Sequence, residues 1–254
     1  MKTRILTAAI LAVTASAPAS ADDWKMSVTP YLWATDLGID ISYADTDLVD
    51  VTLPFEDLLD DLETVAQVRF EAMRGQHGIA IDLFDVTLAD EGATVGIPDG
   101  SGDSLVLDSE TGMTILDLTG IYNPKADGTG VSLLYGMRVI NQRNEIGATL
   151  VSGGEVAATA AYDMDDTFKD ALIGLRYGGN LPKNWSYEIT ADVSTGDTEL
   201  TWSVAPAIGY TFGDQDQFRV TAGYRHMLID FETQDPLDMD MSLSGLLIGF
   251  RYQF

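Results

Sequence analysis

Arginines and carboxylates recur in this chain at even spacings: Arg69 with Glu71, Glu188 with Asp192, Arg219 with Arg225. In an extended strand, residues two, four or six apart project from the same face. A guanidinium is a planar fork that grips a carboxylate through two parallel hydrogen bonds. Following the alternation of neighbouring segments adds Asp82, Asp117, Arg138, Arg176 and Arg251 to the same kind of face. Charges brought into a confined space are costly unless paired and hydrogen-bonded. The near-equal signs therefore predict ion pairs that fill an enclosed interior, or a constriction that sorts solutes by charge.

Other chemistry is sparse. The chain has two histidines, His77 and His226, and no cysteine. His77 falls in a short turn. His226 and Asp230 are four residues apart on a strand, which separates them by roughly 13 Å and forbids a direct dyad. There is no phosphate-binding glycine loop, no metal-ligand spacing and no nucleophile motif. The expectation is no catalytic site, no cofactor and no metal centre, hence not an enzyme. A membrane-embedded hydrolase (a protease or a lipid A hydrolase) using His226 with the acidic Asp230 and Glu232 that follow it is the alternative.

The elements that must position these charges read as strands. Alternating segments, punctuated by Gly, Asn, Asp and Pro, run over about Lys25–Thr35, Val65–Arg74, Gly78–Leu88, Gly112–Tyr122, Val131–Gln142 and Thr167–Gly178. Four more run over Trp185–Ser194, Leu200–Phe212, Gln217–Ile229 and Met241–Phe254. In the seventh, Trp185, Tyr187, Ile189, Ala191 and Val193 oppose Ser186, Glu188, Thr190 and Asp192. In the ninth, Phe218, Val220, Ala222 and Tyr224 oppose Arg219, Thr221, Gly223 and Arg225. The polar faces hold small residues, Arg and carboxylates, which suits a confined lumen better than open water. Pro30 and Pro206 lack a ladder donor, which argues against a mid-strand position for each.

Connections alternate between short (75–77, 123–128, 179–184, 213–216) and long (36–64, 89–111, 143–166), as in barrels with short inner turns and long outer loops. The long ones are acidic: Asp36, Asp40, Asp45, Asp47, Asp50, Glu56, Asp57, Asp60, Asp61 and Glu63 fall in the first, and Asp235, Asp238 and Asp240 in the last. Their oxygens offer ligands to divalent cations, although no EF-hand spacing is present. Within the first, Phe55, Leu58, Leu59 and Leu62 form the one-sided stripe of a short helix poised to fold onto or into the barrel mouth.

Residues 1–21 read as a secretory signal peptide, with Lys2 and Arg4 before the apolar run Ile5–Val13 and an Ala19-Ser20-Ala21 cleavage site. Residues 22–254 then form one domain. The net charge of −26 becomes two units more negative without Lys2 and Arg4, which argues against nucleic acid or anionic lipid as a partner. A hydrophobic content of 46% is too high for a disordered acidic chain. No stretch after the signal offers about 18 consecutive apolar residues, so helical spans are excluded.

The C-terminal segment places Leu246, Ile248, Phe250, Tyr252 and Phe254 on one face. This resembles the C-terminal signal strand of Gram-negative outer-membrane β-barrel proteins. The resemblance implies that Phe250, Tyr252 and Phe254 are read by the barrel-assembly machinery. Pro30-Tyr-Leu-Trp-Ala34, Pro54–Leu62, Phe70–Arg74 and Ile79–Leu83 resemble a family of small proteobacterial outer-membrane barrels related loosely to OmpA- and OmpW-type proteins. It implies a fold, a location in the outer membrane, and contact with its lipid and lipopolysaccharide, but no ligand residues. The combined expectation is an all-β, antiparallel up-and-down transmembrane barrel of about ten strands, with eight or twelve as alternatives. It would act as a small narrow pore or a structural barrel; a secreted soluble β-sandwich is the competing fold.

Overall fold

The computed structural model describes residues 24–43, 46–96, 104–153, 155–231 and 237–254. The signal peptide expected over residues 1–21 lies outside the described residues, as do Asp45, Glu232 and Asp235. The chain forms β1 (Lys25–Tyr43), β2 (Thr46–Leu53), α1 (Phe55–Asp61), β3 (Leu62–Arg74), β4 (His77–Gly96) and β5 (Ser104–Tyr122). It continues through β6 (Gly130–Ser152), β7 (Glu155–Asn180), β8 (Trp185–Gly196), β9 (Leu200–Phe212), β10 (Phe218–Phe231) and β11 (Leu237–Gln253). Each barrel strand pairs antiparallel with its neighbours, and β11 pairs back onto β1. The result is the closed ten-strand up-and-down barrel that the alternation predicts, with β2 as an eleventh strand paired only to β1. Closure removes the free edges a flat sheet would expose. Its last rung is the reciprocal pair Met26 N–H to Phe254 O (3.1 Å) and Phe254 N–H to Met26 O (2.9 Å).

The alternation sorts side chains to two faces. On β7, Asp170, Leu172, Gly174 and Arg176 are buried while Ala171, Ile173, Leu175 and Tyr177 between them are exposed. The outward set continues as an apolar belt that includes Ile79, Ile81, Val131, Ile189, Ile208, Leu246 and Ile248. Toward the short-turn end, rings meet in tilted and stacked pairs around the wall. Trp185 contacts Tyr210, Tyr210 contacts Phe212, Phe212 contacts Phe218, Phe218 contacts Phe250 and Tyr252, and Tyr252 contacts Phe254. An apolar band bounded by an aromatic girdle is what a lipid-facing barrel surface requires.

Two expectations about element ends are corrected. The stretches 89–111 and 143–166, which alternation alone leaves as loops, are mostly strand: β4 to β7 run through most of them, and β6 and β7 reach 23 and 26 residues. The ladder hydrogen bonds simply continue, for example Glu110↔Glu145 and Asn144↔Met164. Both faces of these extensions meet water, so the apolar–polar contrast that reveals a strand is missing. Likewise β1 extends beyond Thr35 to Tyr43, held on one side by β11, Asp36↔Ser244 to Tyr43↔Leu237, and on the other by β2, Leu37↔Leu53 to Tyr43↔Thr46.

Both prolines do lie inside strands, and each stands beside an interruption. The β1–β3 ladder ends at Pro30↔Val68, leaving Tyr31–Asp36 and Leu62–Gln67 without rungs between them. Across that gap the Trp33 N–H donates to the Gln67 side-chain oxygen instead. On β9, pairing with β10 skips from Gly223↔Ala207 to His226↔Val204, omitting Pro206. A missing N–H opens the rung it would have made.

Candidate functional site

The barrel interior is divided into two layers. The charged layer draws on all ten barrel strands. Arg138 on β6 donates from Nε and Nη2 to both oxygens of Asp117 on β5, each at 2.8 Å, and from Nη2 to Asp192 on β8 at 2.9 Å. Ser203 on β9 donates to the other oxygen of Asp192 at 2.6 Å. Arg69 on β3 lies 3.2 Å from Glu71 and 3.5 Å from Asp82 on β4, and the Tyr31 hydroxyl of β1 donates to Asp82 at 2.7 Å. Arg176 on β7 meets Glu71 at 3.0 Å and stands 3.9 Å from Glu188 on β8. A cavity of about 140 Å³ lies among Arg69, Asp117, Asp192, Arg219 and Arg225.

Register explains these partners. Arg69 stands opposite Asp82, and Asp117 opposite Arg138, on adjacent strands. Arg138 is also opposite Asp170, but that carboxylate is taken by Ser194 and Thr198 donors, the Thr198 hydroxyl at 2.6 Å. The Arg138 side chain is fully buried, and its geometry is the bidentate kind that makes a buried pair tolerable. Three arginines of the inferred set, Arg219, Arg225 and Arg251, have no carboxylate within ion-pair distance among the described residues. Arg225 instead stacks its guanidinium 4.7 Å from the Trp33 ring centre.

Trp33 begins the second layer, toward the long-strand end. Trp33, Ile140, Met227 and Ile229 are essentially inaccessible, and Phe84, Ile115, Phe231, Met241 and Leu243 pack with them. Trp33 meets Phe84 edge-on at 5.3 Å, and Phe168 meets Phe231 at 4.9 Å. This is an apolar core inside the barrel. Behind the β1–β3 gap it opens into a cavity of about 90 Å³ bordered by Leu32, Trp33, Phe55, Leu58, Val65 and Phe84. Helix α1 therefore lies along the wall gap with Phe55 and Leu58 toward the cavity, Leu62 joins them as the extended first residue of β3 rather than as part of the helix, and Leu59 stays exposed. The Phe55 N–H donates to Asp36 at 2.8 Å, in place of a capping side chain.

Other inferred residues sit elsewhere. His226 points outward; its Nδ1 is 2.5 Å from the Ser244 hydroxyl on β11 and its ring is 4.9 Å from Trp202. His77 contacts Tyr122 at the short-turn end, 5.2 Å between ring centres. Phe250, Tyr252 and Phe254 lie in the outward girdle. Among the described residues no group of three or more His, Cys, Asp and Glu could hold a metal ion, and no helix is long and apolar enough to cross a membrane.

Sequence reasoning missed Tyr31, Asp170 and the whole apolar layer, and put Ser203 on the inward face without its tie to Asp192. Asp170 shares the parity of Arg176, six residues on, so extending that face would have found it. The apolar layer gave no such signal, because inward Ile and Met look like outward ones in sequence.

No family model matches the chain, and no curated protein matches it. Solved structures with a similar course include the outer membrane protease OmpT of Escherichia coli, at 10% identity over 92% of this chain and 98% of that one, TM-score 0.48. The attachment invasion locus protein Ail of Yersinia pestis, in complex with the heparin analogue sucrose octasulfate, is similar at 9% identity over 91% and 99%, TM-score 0.33. Neisserial surface protein A is similar at 13% identity over 91% and 97%, TM-score 0.27.

Proposed function

We propose that this chain is an integral outer-membrane barrel of a Gram-negative cell, non-catalytic, and that its lumen is a narrow passage held shut in the conformation described above. The location is supported by the apolar belt and girdle on the outer wall, and it carries with it the expected contacts with lipid, lipopolysaccharide and the assembly machinery. The observation that carries the closed-passage reading is the stacking of two seals in series. A solute crossing the lumen must first part the Arg138–Asp117–Asp192 cluster and then the apolar layer around Trp33, Ile140 and Met227. Ten strands leave an interior that side chains can fill, whereas wide aqueous channels need roughly sixteen or more.

His226 is the residue on which a hydrolase would turn. Its serine partner and Trp202 neighbour suit the amphipathic belt of a membrane interface, where one end of a ring is apolar and the other wet. The acidic outer ends of the long strands offer divalent cations oxygen ligands without a preformed cage.

Planar-bilayer recording tests the reading. The unmodified protein should show no large steady conductance, while Arg138→Ala, or removal of residues 54–62, should raise it. A large steady current that neither change alters would overturn the proposal. Recovery of the exported chain in a detergent-free periplasmic extract would remove the membrane location as well.

A further inference from the structure

Arg219 on β10 and Arg251 on β11 stand directly opposite each other, both on the lumen face. Like charges directly opposite one another destabilise a ladder. The other like-charged opposition in the lumen, Asp82 against Asp117, is relieved by arginines, since Arg69 reaches the first and Arg138 the second. Arg219 and Arg251 have no such relief among the described residues.

Their surroundings are built to hold a guanidinium there all the same. Arg219 lies flat across Gly209 of β9, and a Cβ at that position would collide with Arg219 Nε. That Nε is buried with no hydrogen-bond acceptor, and so is Nε of Arg176, whose side chain is 8% exposed. Two cavities of about 150 and 130 Å³ adjoin these groups beneath the 123–129 turn, and Arg176 and Arg251 line both. Lys25 borders the first and Arg219 the second. Glu71, Glu188 and Asp127 share the space, but Glu71 is already held by Arg69 and Arg176, and Glu188 faces Arg176. Together the two cavities set Lys25, Arg176, Arg219 and Arg251 against Glu71, Asp127 and Glu188, a local reversal in a chain of net charge −26. Unused buried donors and an unrelieved cation pair both call for acceptor oxygens carrying negative charge.

We propose that Arg176, Arg219 and Arg251 form a binding site for a small oxyanion of the phosphate or sulfate type, entering from the short-turn mouth. Cavities of this size hold several water molecules and so accept a tetrahedral anion. The site is independent of whether the lumen conducts.

The test uses the folded barrel in non-ionic detergent, titrated with sodium phosphate, and in parallel sodium sulfate, against sodium chloride at constant ionic strength. Calorimetry should record saturable binding of the oxyanion, and the thermal unfolding midpoint should rise with it and not with chloride. Arg219→Gln and Arg251→Gln should each weaken binding at least tenfold. Gly209→Ala, which keeps every charge but displaces the Arg219 guanidinium, should weaken it too. In chloride alone, either glutamine variant should unfold at the same or a higher temperature than the unmodified protein, because the like-charge opposition is gone. A merely structural arginine would shift the midpoint down. Equal responses to phosphate, sulfate and chloride, or an oxyanion response retained in the double glutamine variant, would overturn the site. Should that variant fail to fold, the anion comparison on the unmodified protein and on Gly209→Ala decides the matter alone.

Discussion

The charged and apolar layers occupy the same barrel, hang from the same strands and obey the same alternation, yet they are held together differently. In the charged layer the paired groups depend on one or two named partners: Arg138 on Asp117 and Asp192, Arg176 on Glu71. Taking these charges out of water is expensive, and only the geometry of their contacts offsets that cost. In the apolar layer, Trp33, Ile140, Met227 and their neighbours gain from being out of water and in dense contact, which requires fit but no particular partner. A barrel of this size can thus be closed by either chemistry, but one closure is brittle and the other compliant. The seam between them includes the stacked pair of Arg225 on Trp33, reinforced by the Trp33 indole N–H donating to the Arg225 carbonyl at 3.3 Å, and Tyr31, which packs on the apolar side and donates to Asp82.

Substitutions should separate the two. Arg138→Ala leaves Asp117 and Asp192 buried without their cation, and removing one partner of a buried pair costs about 3–5 kcal/mol. Urea unfolding of the folded barrel should show it, and a loss under about 1 kcal/mol would mean water already screens the cluster. Trp33→Ala should cost about 3 kcal/mol, toward the lower end for an aromatic truncation, because the interrupted wall beside it lets the site collapse. If it costs more than Arg138→Ala, the apolar layer is the brittle one and the comparison inverts. Ile140→Val, which removes one methylene from a fully buried site, should cost about 1 kcal/mol and leave conductance unchanged.

The smallest effect lies outside both layers, in the 123–129 turn. Thr129 donates from its backbone N–H and its hydroxyl to Asp127, both at 2.8 Å, and these bonds hold the Asp127 carboxyl below the ordinary carboxylate range. A depressed carboxyl contributes stability above its unfolded pKa and loses it as pH falls through the folded value. Thr129→Ala removes the hydroxyl and keeps the N–H, so the Asp127 titration midpoint should move partway back up. NMR titration of that carboxyl would show it, and an unchanged midpoint would mean the backbone bond alone sets it.

Period-two alternation made the barrel and its strand count legible, because one-sided burial writes itself into sequence wherever the two faces differ. It also assigned Arg69, Glu71, Asp82, Asp117, Arg138, Arg176, Glu188, Asp192, Arg219, Arg225 and Arg251 to an inward face, since parity follows from the chain alone. It failed at the extensions of β4 to β7, where both faces meet water and no contrast exists. It could not tell which arginine meets which carboxylate. Partners are set by register between strands far apart in sequence, as between Glu71 and Arg176, 105 residues apart. Nor could it divide the lumen into layers, because height along the barrel axis depends on tilt and closure. Ile140 and Ile146 lie six residues apart on one strand; the first is fully buried, and the second, past the point where the wall leaves the closed barrel, is 46% exposed. Local chemistry decided which residues turn inward, and closure of the tilted sheet decided which of them meet.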